Sequence, residues 1–222
     1  MAEFINSYGL LLAENTVDTL YMSLLSTVFS YVLGLPMGVM LYTTKEGQIL
    51  ENRRFNSLFG CVINIIRSFP FIILIITIMP VTRLVIGKAL GPAAAVFPLT
   101  IGAARFVARM VESSLEEIDK GVIEACQCMG AGPMTIIRVL LSESKPSIVR
   151  GLSITSITLI GYSAIAGAVG AGGLGDVAIR YGYHRRIESV MWVSVVLIII
   201  IVCLLQKTFD VIARKSDKRN IL

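Results

Sequence analysis

Charged residues are scarce in this sequence. They make up 16% of the 222 residues, whereas hydrophobic residues make up 55%, and soluble domains are usually about a quarter charged. The stretches 19–44, 151–175 and 189–206 contain no Asp, Glu, Lys or Arg. Because about 20 apolar residues are enough to cross the hydrocarbon core of a bilayer, the sequence predicts a polytopic membrane protein. It excludes a disordered, a secreted and a free cytosolic protein.

Motifs for nucleotide binding and hydrolysis are also missing. The sequence contains no GxxxxGK[ST] phosphate loop, no HExxH and no GxSxG, which are the common local signatures of ATP binding, zinc proteolysis and serine hydrolysis. We therefore predict no catalytic residue and no cofactor held by this chain. Any ATP-driven step requires a partner protein.

Five apolar runs are long enough to form spans, which predicts an all-α membrane bundle. The predicted transmembrane domain, 19–209, lies between an N-terminal segment, 1–18, and a basic tail, 210–222, and its spans are at about 19–44, 58–80, 93–111, 148–169 and 189–208. The first run contains Pro36 in its second half, which indicates one tilted or bent helix. Pro70 in the second run favours a local bend.

The distribution of basic residues predicts the orientation. Residues 1–44 contain no Lys or Arg, while the segments expected on the opposite side hold most of them, as cytoplasmic loops do. An odd number of spans places the termini on opposite sides, so we expect the N-terminus outside and the C-terminus inside. The net charge of +5 is then explained by membrane orientation rather than by nucleic-acid binding. No cleavable signal peptide is recognisable at the N-terminus, so we expect the first span to remain.

The segment at about 113–145, between the third and fourth spans, is too long and too patterned for a simple turn. Apolar residues recur at helical spacing over 115–129, and Gly130 and Pro133 are typical of a helix end and a helix start. The pattern predicts a short amphipathic cytoplasmic helix and a second one over about 133–142. The apolar face of such a helix lies against its own membrane domain, the lipid surface or a soluble partner, and composition leaves these three open.

The order of residues in this segment resembles the EAA loop of ABC importer permeases. The matching positions are Glu124, Ala125, Cys126, Gly130 and Ala131. The resemblance implies that these residues couple the membrane subunit to a separate ATPase. It also accounts for the missing phosphate loop.

Three further segments, 67–83, 98–112 and 161–183, are similar to the permeases of bacterial methionine importers, and the resemblance covers about 15–210. It implies a multi-pass subunit of the bacterial inner membrane that imports D- and L-methionine. The implied partners are a second copy of the chain, two ATPase subunits that hold ATP and Mg²⁺, an extracytoplasmic substrate-binding lipoprotein and membrane lipid.

Two positions depart from the pattern of this family. Arg105 stands where proline or a small residue is expected, and Ser142 follows Leu141 where the EAA pattern usually continues with proline. The first departure bears on the helix geometry of the third span, and the second bears on the exit of the loop.

The fourth span ends in the string GAGGLG, 170–175, which satisfies the GxGxxG dinucleotide pattern. That pattern functions between a β-strand and a helix, and here it follows a membrane span. We prefer the hypothesis that small residues let this helix approach its two-fold mate and form the pathway wall, with close backbone packing and a flexible turn as the alternative. The candidate residues for the pathway or for dimer packing are Arg67, Pro70, Tyr162, Ser163, Ile165, Gly167 and Gly170.

Arg67 lies well inside the second apolar run, where a lipid-facing guanidinium costs at least about 2.5 kcal/mol. Two interpretations remain open. Its long side chain snorkels to the inner surface, or it supplies a fixed positive charge near a substrate carboxylate or within the bundle. Pro70 favours a bend that permits either arrangement.

Cysteine and histidine do not form a recognisable metal site. Cys126 and Cys128 form a CxC, while Cys61 and Cys203 lie in apolar runs and the single histidine, His184, lies in a predicted outer loop. Tetrahedral zinc requires four ligands. We therefore predict no metal site and interpret the CxC as two small packing residues. The outer loop is a solvated turn or, alternatively, a docking surface for an external binding protein.

Three other functions compete with methionine import. The first is an ABC permease for another amino acid or small nutrient. The second is a secondary transporter or channel, although the paired repeats common in such transporters are not visible. The third is a membrane scaffold without transport activity.

Overall fold

The computed structural model describes residues 2–216, and all regular secondary structure in that range is helical. The helices are α1 (Ala2–Thr43), α2 (Arg53–Ser68), α3 (Phe71–Ile86), α4 (Pro92–Glu116), α5 (Lys120–Cys128), α6 (Pro133–Glu143), α7 (Lys145–Ala168), α8 (Gly173–Val177) and α9 (Glu188–Ser216). A π-helical segment, Ala178–His184, lies between α8 and α9. Among the described residues, α1, α4, α7 and α9 are each long and apolar enough to cross a membrane.

The second predicted span, 58–80, is two helices rather than one. α2 and α3 meet at an angle of 102°, so the bend expected near Pro70 is present and sharp. Phe69 has an extended backbone with ψ 125°, and Pro70 is extended as well with ψ 136°. The proline ring disfavours the helical conformation of the preceding residue, which explains why α2 ends here. By length and composition the pair forms either one broken span or a re-entrant loop.

The helices that contain the first and last predicted spans are longer than those spans. α1 begins at Ala2, so the predicted N-terminal segment 1–18 is helical from its second residue and continuous with the first span. α9 continues to Ser216 and takes in the start of the predicted tail, 210–222. Residues 217–222 of that tail lie outside the described residues.

The expectation of one amphipathic helix from position 115 is wrong at its start. Leu115 belongs to α4, which ends at Glu116, and α5 begins only at Lys120. The side chain of Asp119 caps α5 by accepting a hydrogen bond from the backbone N–H of Gly121 at 2.7 Å. An N-cap residue has a non-helical backbone, so this cap divides the apolar pattern between two helices.

The contact between α1 and α4 is the most extensive in the fold. A Cβ atom at Gly34 would lie 2.6 Å from the Cβ of Val107, and one at Gly38 would lie 2.5 Å from the carbonyl oxygen of Ala108. The two glycines are four residues apart and therefore share one face of α1. Small residues at this spacing let helix backbones approach closely, and here they set the α1–α4 crossing.

The ends of the helices show the direction of the chain through the bundle. Asp18 of α1 and Pro92 at the start of α4 both lie beside Gly172. A Cβ built on Gly172 would be 3.9 Å from Asp18 and 3.4 Å from Pro92. At the other end of α4, Glu112 pairs with Lys45, just after α1. α1 and α4 therefore run parallel, so the α2–α3 pair must carry the chain back from one end of the bundle to the other.

Candidate functional site

A cavity of about 470 Å³ lies between α4 and α7. Its size is within the range of small-molecule sites, about 300–1,000 Å³. Its lining residues are Gly102, Arg105, Phe106, Arg109, Met110 and Ser113 of α4 and Tyr162 of α7. Each of the six positions on α4 has another of them three or four residues away, so together they follow one helix face. The side of α4 that faces away from α1 thus forms most of the wall.

Tyr162, a predicted pathway residue, belongs to this cavity wall. Its ring stacks on Phe71 of α3, with the ring centroids 4.3 Å apart and the planes 5° apart. The Phe71 ring is buried and lies 3.2 Å from the position of a Cβ on Gly102. Three helices therefore hold the Tyr162 ring in place.

Arg105, noted in the sequence only as a departure, also lines the cavity. α4 remains helical through this position, so the arginine does not disturb the local helix. The residue is only 7% exposed, and its Nε donates a hydrogen bond to the carbonyl oxygen of Gly102 at 2.9 Å. An arginine inside an apolar span generally faces protein or a water-filled cavity. The free-energy cost of an arginine that faces lipid, which indicates a buried position for Arg67, indicates one equally for Arg105.

Arg109 is one helical turn beyond Arg105 and connects α4 with α2. Its Nη1 donates to Glu112 at 2.7 Å, and its Nη2 donates to the side-chain oxygen of Asn64 at 3.0 Å and to the carbonyl oxygen of Gly60 at 3.3 Å. The guanidinium group offers several donors in a fixed plane. It therefore fixes α2 beside the wall of the cavity.

Glu112 connects α4 with the end of α1 as well. Its side chain is 6% exposed and accepts from Lys45 at 3.0 Å, and Lys45 also pairs with Glu116. We call Lys45, Arg109, Glu112 and Glu116 the ion cluster. Because both basic residues contact Glu112, this single buried carboxylate holds α1, α2 and α4 together at one end of the bundle.

The ion cluster alters the pKa of Lys45. Partial burial acts to lower the pKa of the ammonium group, but hydrogen bonds and Coulombic attraction to Glu116 and Glu112 outweigh burial, so the pKa lies above its ordinary value. A raised pKa in the folded state means that the ion pair contributes its full stabilisation below the unfolded pKa and loses it only as the pH rises through the folded one. Lys45 therefore keeps its charge at neutral pH.

The small residues of α7 pack closely within the protomer, and Gly167 is one of them. A Cβ on Gly167 would lie 2.5 Å from the backbone nitrogen of Asp176, and one on Gly175 would collide with the backbone of Ala164. The string GAGGLG therefore folds back on α7 as a turn followed by α8. The segment 172–176 therefore fills the space beside Gly167, and a role of this residue in the pathway or in dimer packing stays a prediction.

The remaining pathway candidates lie at different places. Ser163 is buried and donates to the carbonyl oxygen of Ile160, whereas Ile165 is 40% exposed. Gly170 adopts a φ of 92° in the turn after α7, and Pro70 caps α3. The side chain of Arg67 lies outside the described part of the structure.

The α5–α6 hairpin has a buried and an exposed face. Cys126 is 6% exposed and belongs to a core cluster with Ile136 and Leu140, together with residues of α1 and α4. The opposite face exposes Glu124 and Ala125. The buried face fixes the hairpin to the membrane domain, and the exposed face is open to a partner.

The turn of the hairpin has the geometry that glycine favours. Gly130 has a φ of 72°, and the N–H of Ala131 donates to the carbonyl oxygen of Cys126 at 3.0 Å. A left-handed glycine that closes a helix in this way is the usual C-terminal cap. Beside it, Met129 is 78% exposed and Met134 is 63% exposed. Cys128 is exposed as well, so the interpretation of both CxC residues as packing residues is wrong for Cys128.

Residues 30–221 match the family described as binding-protein-dependent transport system inner membrane component. The chain belongs to this family. It is therefore an inner membrane permease component of a binding-protein-dependent transport system.

Relatives and a solved structure agree with this placement. The permease is 50% identical to the "Probable D-methionine transport system permease protein MetI" of Vibrio cholerae, over 94% of this chain and 93% of the relative. It is 47% identical to the methionine import system permease protein MetP of Bacillus subtilis, over 92% of each chain. It superposes on a chain of the MetNI methionine ABC transporter in an inward-facing conformation with a TM-score of 0.94 and 47% identity, covering 96% of this chain and 99% of that one.

Proposed function

We propose that this permease forms the translocation pathway for methionine, in its D and L forms, in an ATP-driven importer of the bacterial inner membrane. The observation that carries the proposal is the match over nearly the full length to a chain of the MetNI methionine ABC transporter, with a TM-score of 0.94 and 47% identity.

The chemistry of the cavity suits an amino acid with an apolar thioether side chain. Phe106, Met110 and Tyr162 offer aromatic and polarisable surface, and sulfur makes favourable contacts with aromatic rings. Arg105, Arg109 and Ser113 add polar groups. A few polar groups in an otherwise apolar wall are typical of small-molecule sites.

The exposed face of the α5–α6 hairpin is the proposed contact with the ATPase. Glu124 and Ala125 lie on that face, Gly130 and Ala131 shape the turn, and Cys126 anchors the hairpin to the core. In this proposal two ATPase subunits hold ATP and Mg²⁺, a second copy of the permease completes the pathway, and an extracytoplasmic lipoprotein delivers substrate. Closure of the ATPase dimer moves the hairpin, and the core beneath it moves α1 and α4 as packed units.

The proposed topology has five spans, with the N-terminus outside and the C-terminus in the cytoplasm. It is supported by the direction of the chain, because the α2–α3 pair returns from the Lys45 end of the bundle to the Pro92 end. The absence of Lys and Arg from residues 1–44 supports the same orientation. The hairpin then lies on the cytoplasmic side, where ATP is available.

Uptake into proteoliposomes tests the proposed function. The permease is reconstituted with its ATPase and binding protein, and uptake of radiolabelled L- and D-methionine is measured with and without ATP. We expect ATP-dependent uptake that unlabelled methionine suppresses and that other amino acids do not. A preference for another amino acid, uptake driven by an ion gradient without the ATPase, or no uptake at all would contradict the proposal.

A further inference from the structure

We propose that a groove between α1 and α4 binds one membrane phospholipid, with an acyl chain in the groove and the phosphate group at Arg83 and Lys88. The groove has a volume of about 440 Å³. Its walls are formed by residues of α1 between 21 and 33, residues of α4 between 93 and 101, and Ile86 at the end of α3. We call it the α1–α4 groove. The inference goes beyond the proposed function, because it assigns a ligand to a surface that the pathway does not use.

The lining of the α1–α4 groove is almost wholly hydrocarbon. Of its eleven lining residues, only Tyr21 and Thr100 carry a polar group. Phe29 and Val32 on its α1 wall are exposed, so the groove opens to the outside of the protein. An apolar cavity holds no ordered water, and an empty one forfeits the dispersion contacts of its lining atoms. In a membrane this groove is therefore filled by an apolar chain.

The length of the groove matches one leaflet of a bilayer. The α1 wall extends from Tyr21 to Leu33, which is about 18 Å at 1.5 Å per residue. Half of a hydrocarbon core about 30 Å thick is about 15 Å. Tyr21 lies toward the Pro92 end of the bundle, at a depth where aromatic residues commonly meet the headgroups, and the close approach of α1 to α4 at Gly34 closes the other end. The groove therefore has the length of one acyl chain.

The α1–α4 groove and the cavity beside α7 lie on opposite faces of α4. The groove is lined by positions 93, 96, 97, 100 and 101, and the cavity is lined by positions 102, 105, 106, 109, 110 and 113. At 3.6 residues per turn, the two sets are centred about 180° apart around the helix axis. A second copy that completes the pathway lies on the cavity side, so the groove faces lipid. This step alone rests on the proposed function.

Two basic side chains flank the groove where α3 ends. Arg83 lies one helical turn before Ile86, and Lys88 lies two residues after it. Both are exposed, and neither forms an ion pair within the part of the chain that the structure describes. Long basic side chains cover apolar surface with their stems and place the charge at the interface, where a phosphate group is a strong acceptor. The charge at the end of the groove therefore suits the headgroup of the lipid whose chain the groove holds.

Photolabelling of the permease–ATPase complex tests the site directly. The complex is reconstituted in phosphatidylglycerol vesicles with a trace of the same lipid that carries a diazirine at the end of one acyl chain, and labelled peptides are quantified by mass spectrometry. Trp192, Ile199 and Leu204 are exposed on α9, so the segment 192–204 gives the level of ordinary lipid contact. We expect labelling of 29–33 and 97–101 to exceed this level at least about fivefold, as the attraction of one basic residue to an anionic headgroup implies. Equal labelling of these segments and α9 would overturn the inference.

The phosphate contact is tested by variants and by a second probe. Arg83→Gln and Lys88→Gln should each lower the excess labelling about fivefold, whereas Arg186→Gln should leave it unchanged because Arg186 is exposed on the loop before α9 and does not line the groove. Diacylglycerol with the same diazirine chain lacks the phosphate and should label the groove no more than α9. Undiminished labelling by diacylglycerol, or in the protein with both substitutions, would contradict the inference.

The acyl-chain contact is tested by filling the groove. Val32→Phe adds bulk to its wall and should reduce labelling of 97–101, whereas the matched Val196→Phe, on the exposed face of α9, should not. Unchanged labelling in Val32→Phe would show that the chain lies elsewhere. All these measurements need neither substrate nor ATP, so the lipid site and the proposed function can fail separately.

A second copy of the permease is the other occupant that the experiment must detect. Val32→Cys is introduced after the exposed cysteines, Cys61, Cys128 and Cys203, are replaced by serine. Under mild oxidation in the same vesicles we expect no disulfide-linked pair through position 32. Efficient formation of such a pair would show that a second copy covers the groove and would overturn the lipid site.

Discussion

Glu112 shows how much one buried charge can determine in a membrane bundle. Its carboxylate is 6% exposed and lies between Lys45 and Arg109. The first of these residues follows α1, and the second contacts α2. The attraction between a carboxylate and two cations therefore joins three helices whose apolar faces would also permit other arrangements.

Replacing Glu112 by Gln should destabilise the permease by about 1–3 kcal/mol, because two cations would lose a buried acceptor. The thermal unfolding midpoint of the detergent-solubilised protein measures this loss. Glu14→Gln is the matched control, since Glu14 is exposed on α1. An unchanged midpoint in Glu112→Gln would show that the ion cluster contributes nothing to stability.

Gly130 gives a second prediction for a single residue. Its φ of 72° costs a residue with a Cβ about 1–2 kcal/mol, and a β-branched residue at least that. Gly130→Val should therefore distort the hairpin turn while the spans still insert, and ATP hydrolysis should become uncoupled from uptake. The ratio of methionine imported to ATP hydrolysed measures the effect.

Gly132→Ala is the control for this variant. Gly132 has a φ of −72°, and no atom lies within 4 Å of a Cβ built on it. The control should couple normally. If Gly130→Val also couples normally, the turn has no role in transmission and the hairpin is only a connector.

At the scale of helices, the α1–α4 contact depends on the lack of side chains. A methyl group on Gly38 would lie 2.5 Å from the carbonyl oxygen of Ala108, whereas at Gly161 of α7 no atom lies within 4 Å. The same substitution is therefore predicted to have opposite effects at these two positions.

Gly38→Ala should destabilise the permease by about 1–3 kcal/mol through overpacking. Gly161→Ala should be neutral or stabilise its helix by about 0.5–1 kcal/mol, because alanine loses less backbone entropy. Both values are compared through denaturant-induced unfolding in the same micelles. Equal stability of the two variants would show that α1 and α4 do not approach closely at Gly38.

Gly167 shows that a pattern of small residues predicts close packing without identifying the partner. The small residues of α7 indicated close helix packing, and close packing is present, but the partner is α8 of the same protomer. A large residue at Gly167 should therefore impair the fold of the protomer itself. A loss of transport in such a variant would carry no information about a dimer interface.

At the scale of the whole molecule, the α2–α3 pair decides the topology. If it crosses the membrane as one broken span, the termini lie on opposite sides, and if it re-enters on the same side, they lie together. Lys45 and Pro92 are at opposite ends of the bundle, so we predict a crossing.

Reporter fusions check this prediction. A reporter after Leu222 should be active in the cytoplasm, and a tag before Met1 should be accessible from outside intact cells. A tag between Gly87 and Gly91, just after α3, should also be accessible from outside. Cytoplasmic location of both the N-terminus and this segment would contradict the five-span topology.

The sequence by itself determined the features that depend on neighbouring residues. Uncharged runs of about 20 residues predict spans because the bilayer has a fixed thickness, and Pro70 and Gly130 predict a bend and a turn because their backbones are restricted or permissive. The same local order around Glu124 carried the resemblance to importer permeases. These properties require no knowledge of which helices touch.

Only the tertiary structure decided which distant residues meet. The sequence gives Lys45 and Glu112 as two separate charges, and their ion pair exists because α1 crosses α4 through Gly34 and Gly38. It likewise left Arg105 as an irregularity in the third span, and only the arrangement of α4 beside α7 places that arginine at a cavity. Contacts of this kind depend on helix crossing and rotation, which many apolar sequences satisfy equally well and which close packing of the whole bundle selects.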